Sequence, residues 1–147
     1  MNSYLVLLIL HLLAAFMFIG TVFFEVLILE GIRQHISPRL MNGIERALGN
    51  RIVKIIPFTL LTLYGAGIGM VALRYTEILH TPFASTFGTM LLLKIILASS
   101  VFCHFLTAMF LRKTGRLKGN ASKWIHWSVF SHMIGIIILA KSMFYWN

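Results

Sequence analysis

Aspartate is absent from this chain of 147 residues, and its only acidic side chains are Glu25, Glu30, Glu45 and Glu77. No serine–histidine–aspartate set can form, and no HExxH, CxxC, GxGxxG or P-loop pattern is present. One cysteine, Cys103, cannot close an internal disulfide, so a disulfide-stapled secreted domain is excluded. Charged residues amount to 12 %, against about 25 % in soluble domains. What fills the sequence instead is apolar: 59 % of residues are hydrophobic. A soluble domain of this size would lack the polar surface to cover such a core. An ordinary cytosolic enzyme and a disordered regulator are therefore excluded as well.

Four apolar stretches, near 4–30, 54–75, 86–111 and 122–145, are long enough to cross a bilayer, which takes about 20 residues. The expected fold is all-α: an integral membrane four-helix bundle formed by residues 1–147 as a single transmembrane domain. The first stretch does not read as a cleaved signal peptide, since no basic residue precedes it and Glu25 and Glu30 close it.

The formal charge of +9 is distributed unevenly. Residues 31–54 hold Arg33, Arg39, Arg46, Arg51 and Lys54, and residues 112–123 hold Arg112, Lys113, Arg116, Lys118 and Lys123. Ten of the 13 basic side chains thus lie in two loops on one side, where basic residues mark the cytoplasmic face rather than a nucleic-acid surface. Both termini and the 76–85 loop are then expected on the outer, periplasmic side of a bacterial inner membrane. Ser37-Pro38 can open a short surface helix carrying Leu40, Met41, Ile44 and Leu48. Pro57 is expected in the first turn of the second span. Gly65 and Gly69 form a small-residue face suited to close packing, and offer a route to a homo-oligomer. No internal repeat stands out.

Ionisable side chains are costly in hydrocarbon and are functional candidates by default. His11, Lys94, His104 and His132 qualify. Counting about 1.5 Å per residue, His11 and Lys94 lie about 10 and 12 Å from the outer end of their spans. His104 and His132 lie about 12 and 15 Å from the cytoplasmic side. Each pair can share a layer. Neutral imidazole is a ligand for haem iron, zinc and copper, and a haem held by two histidines needs them on two helices at similar depth. His104 with His132 meets that requirement; His11 is the rival ligand. Lys94 is too deep to snorkel and suits an anion such as a haem propionate. The plain alternative for each histidine is a hydrogen bond to a neighbouring helix. His126 lies near the interface, and His35 and His80 lie in loops. Met70, Met90 and Met143 fall near outer span ends and offer thioethers to Cu(I), although methionine more often fills core gaps.

His11-Leu12-Leu13-Ala14, followed by Phe18 and Gly20, resembles the opening helix of CopD-type membrane proteins. The run from Gly88 through Leu91-Leu92-Leu93-Lys94 to His104 is similar both to CopD-type domains and to HemJ-type protoporphyrinogen IX oxidases. The layout resembles these families along the whole chain, whereas the specific matches are His11, Gly20, Lys94 and His104. Phe18 replaces the expected Trp, Glu25-Val26 stands where HemJ-type proteins carry Pro-Arg, and Ser131-His132-Met133-Ile134 replaces their Asn-Glu-x-Pro element. The resemblance implies a haem-b-binding membrane protein with a redox role, either electron transfer or porphyrinogen oxidation. Its partner would be a quinone, a porphyrinogen or a respiratory complex. CopD-like copper uptake or resistance and a cofactor-free accessory subunit are the alternatives.

Overall fold

The computed structural model describes residues 2–117 and 120–146, with the side chains of residues 120 and 121 excepted. Helix dominates, and no strand occurs among the described residues. Helix α1 (Ser3–Phe23) continues without a break into a π-helical segment (Phe24–Leu29), an α-turn (Glu30–Ile32) and a 3₁₀ turn (Arg33–His35). Helix α2 covers Pro38–Arg74, α3 Thr76–His80, α4 Thr86–Lys113 and α5 Asn120–Ser142, with a 3₁₀ turn at Pro82–Ala84. Four helical stretches are long and apolar enough to cross a membrane: Ser3–His35, Pro38–Arg74, Thr86–Lys113 and Ser122–Ser142. Side chains such as Phe16, Phe58, Leu61 and Phe110 are exposed along them, as hydrocarbon-facing residues are.

The chain divides into two compact units, residues 1–76 and 77–147. In the first, α1 and α2 run antiparallel. Tyr4 meets Tyr75 hydroxyl to hydroxyl at 2.9 Å, with the Arg74 guanidinium 5.1 Å from the Tyr4 ring centre. Leu7 packs on Gly69 and His11 on Gly67. Ala14, Phe18, Val22, Val26 and Leu29 form a buried stripe of helical period. At the other end Arg33 ion-pairs with Glu30, at 2.7 Å, and with Glu45.

Two expectations change here. The separate surface helix and the second span are one helix of 37 residues, about 55 Å long. No helix breaker lies between Gly49 and Ile56, and Met41 is buried, so the two segments continue as one helix. Pro57 is consequently internal to α2 rather than in its first turn. The close packing expected of the Gly65–Gly69 face is seen at Gly69. A Cβ on Gly69 would stand 2.9 Å from Leu7, while Gly65 has nothing within 4 Å.

In the second unit, Ser85 caps α4 by accepting the Gly88 N–H at 3.0 Å. Thr89 ties the same end to the 3₁₀ turn through the Pro82 carbonyl, at 3.1 Å. Helices α4 and α5 then run antiparallel. Phe87 meets Phe144 edge-on at 5.7 Å, and Gly135 admits Leu97 so closely that an added Cβ would stand 3.1 Å from it.

Candidate functional site

Midway along this α4–α5 pair, four side chains interlock. His104 on α4 and His132 on α5 lie ring beside ring, with centroids 5.4 Å apart and planes 53° apart. A carbonyl only accepts, so the Nδ1–H of His104 donates to the Ser100 carbonyl one turn back, at 2.7 Å. His132 does the same to the Ser128 carbonyl, also at 2.7 Å. This fixes both neutral rings in the Nδ1–H form and leaves Nε2 with a lone pair in each. Those lone pairs point across the interface. The Ser128 hydroxyl donates to Nε2 of His104 at 3.0 Å, and the Ser100 hydroxyl donates to Nε2 of His132 at 3.1 Å. Each helix thus contributes one serine and one histidine to a crossed quartet, and all four residues are half-buried.

The sequence carries this symmetry in a short segment of each helix. Ser100-Val101-Phe102-Cys103-His104 and Ser128-Val129-Phe130-Ser131-His132 are the same pentapeptide but for one position. Val101 and Val129 are both buried, at 3 % and 7 % exposure, in equivalent places beside the quartet. Five residues are too few to register as a structural repeat. The signal was the identical Ser-x-x-x-His spacing, which sets hydroxyl and imidazole one turn apart on one helix face.

His11 lies in the other unit. Its Nδ1–H donates to the Leu63 carbonyl on α2 at 2.9 Å. The approach is possible because residue 67 is glycine: a Cβ there would stand 3.2 and 3.3 Å from Cε1 and Nδ1 of the ring. All three deep histidines therefore share one feature, an Nδ1 committed to a backbone carbonyl. His126 differs, with its Nδ1 3.4 Å from the Ser122 hydroxyl. Lys94 is half-buried on α4, ten residues before His104. Among the described residues its ammonium has no hydrogen-bond or ion-pair partner. The structure thus brings His104 and His132 together, while His11 and Lys94 belong to different units.

The two rings share one feature with metal-binding histidines, an Nδ1 committed to a carbonyl. Metal-binding histidines ligate through one nitrogen while the other donates to a carbonyl or carboxylate, which fixes ring and tautomer. Among the described residues, no group of three or more His, Cys, Asp or Glu side chains is placed to hold an ion. Two imidazoles are the axial complement of a haem iron, whose remaining four ligands belong to the porphyrin. The pair is of that donor type, but α4 and α5 are packed closely at this level, with Leu97 against Gly135. Comparison with protein-family models, with curated proteins and with solved structures gave no match to this chain.

Proposed function

We propose that this chain is a multi-pass protein of the bacterial inner membrane, with both termini on the periplasmic side, that binds haem b and serves a redox role. The observation that supports this most is the pairing of His104 with His132 across two antiparallel, membrane-length helices, each ring held by its Nδ1. His104 and His132 would hold the iron, and Lys94 would receive an anionic group such as a propionate. When bound, haem b supplies one-electron chemistry, and a six-coordinate iron suits electron transfer to a quinone, a porphyrinogen or a respiratory partner. The protein's own part is to orient two imidazoles, exclude water and present an unpaired cation ten residues along α4.

The visible spectrum of the purified protein, oxidised and dithionite-reduced, with a haemochrome assay, tests this directly. A sharp reduced α-band at about one haem per chain, lost in His104→Ala and in His132→Ala but kept in His11→Ala, is the expected result. A colourless protein from haem-supplied cells rejects it.

Copper handling is the second reading, and one observation favours it. The imidazoles stand close between tightly packed helices, with Leu97 against Gly135 less than one turn from His132. A porphyrin requires α4 and α5 to part at this level, whereas a bare ion needs far less room. Copper in the colourless protein, lost in the same two variants, selects this reading. Absence of both leaves the accessory-subunit role.

A further inference from the structure

The α1–α2 hairpin is tied at both ends. Tyr4 meets Tyr75 at one, and Arg33 pairs with Glu45 at the other. The chain advances 29 residues from Tyr4 to Arg33 and 30 from Glu45 to Tyr75. Each rod is therefore about 44 Å long between its ties. Hydrocarbon accounts for about 30 Å of a bilayer, and the headgroup layers bring the total to about 40–45 Å. The hairpin is thus matched to the whole bilayer, headgroups included. Tyrosines favour the interface. With Tyr4 and Tyr75 at one interface, the opposite headgroup layer falls at the Arg33 end.

Three cations of α2 lie at the depth of that layer. Lys54, Arg51 and Arg46 are 21, 24 and 29 residues from Tyr75, about 31, 36 and 43 Å along the helix. All three are exposed, on the side of α2 away from the buried Met41 and Ile56. Arg33, at the same end, is neutralised by Glu30 and Glu45. Lys54, Arg51 and Arg46 have no hydrogen-bond or ion-pair partner among the described residues. The neighbouring rod has not turned polar at this depth. Phe24, Leu27 and Ile28, in the π-helical segment that continues α1, are exposed there. Bare hydrocarbon on one rod beside unpaired cations on the other does not suit water. It complements the boundary where acyl chains meet phosphates. We propose that Arg46, Arg51 and Lys54 form a binding site for the phosphates of anionic phospholipids, built into the end of the hairpin away from Tyr4 and Tyr75. The site rests on the reading of the chain as a multi-pass membrane protein and is independent of any cofactor.

The test uses the full chain. Flotation with phosphatidylcholine vesicles, and retention there in alkaline carbonate, first establish that the chain is integral. Phosphatidylglycerol and phosphatidylcholine are then titrated separately into the delipidated protein in a neutral detergent, and bound lipid is counted by native mass spectrometry. Wild type should prefer phosphatidylglycerol. Arg46→Gln, Arg51→Gln and Lys54→Gln should each weaken that binding about fivefold, and the triple variant should lose the preference. Arg112→Gln/Lys113→Gln/Arg116→Gln removes the same charge elsewhere and should keep it. Equal loss in both triple variants would show that binding follows net charge, and rejects the site. No preference in the wild type also rejects it, and leaves these cations to a soluble acidic partner. A chain that does not float, or that carbonate strips from the vesicles, overturns the multi-pass reading itself, and the site falls with it.

Discussion

Glycine at 67 and glycine at 65 lie two residues apart on α2 and have opposite roles. The first leaves space that His11 fills; the second faces nothing within 4 Å. Gly67→Val should push the imidazole off the Leu63 carbonyl and destabilise the protein by about 1–3 kcal/mol, as overpacking does. Gly65→Ala should be neutral or stabilising by about 0.5–1 kcal/mol, since alanine loses less entropy in a helix. Thermal unfolding in detergent separates the two, and equal losses would show that the His11 contact is not what residue 67 serves. At the end of α2, Tyr75 offers a second test. Its phenol is pushed from the usual 10.0 up to about 12, first by burial, then by the Tyr4 hydroxyl, with Arg74 opposing. A raised acid pKa means the fold favours the neutral phenol. That contribution is whole below about pH 10 and is lost as the pH climbs to about 12. Tyr4→Phe should move the Tyr75 ionisation, followed by ultraviolet absorbance, back towards 10.

The helices themselves show what sequence can and cannot convey. The four spans were legible because a run of about 20 apolar residues has few other uses. The join of residues 38–48 to the second span was not legible. Hydropathy marks where a helix enters lipid, but only a helix breaker marks where it ends, and Pro57 is tolerated inside α2. Depth counting brought His104 and His132 to one level because rise per residue is fixed. It said nothing of Ser100 or Ser128, whose importance depends on which faces of α4 and α5 meet. The start of α4 follows a local rule, a serine N-cap accepting the N–H three residues on. Ser85→Ala should cost about 1 kcal/mol, and Ser85→Asn should restore most of it. Hydrogen exchange confined to residues 86–91 should report the loss, and protection unchanged there would mean that the Thr89–Pro82 bond alone holds this end.

For the whole molecule, the deciding quantity is the side of the membrane to which the basic segments belong. Ten of 13 basic side chains lie in residues 31–54 and 112–123, and cationic loops are retained in the cytoplasm. Cys103 is the chain's only cysteine, so a Cys103→Ala background permits single-site labelling. A membrane-impermeant maleimide should reach Thr81→Cys in intact spheroplasts, and should reach Ser37→Cys and Arg116→Cys only after lysis. The reverse pattern would invert the topology. The orientation has a chemical consequence, because His104 lies nine residues before the end of α4 at Lys113, about 14 Å along the helix from the basic loop. With that loop in the cytoplasm, the proposed redox centre would be open to a partner on the cytoplasmic side. Inverted, the same pair would face periplasmic partners, and copper arriving from outside would become the easier reading to sustain.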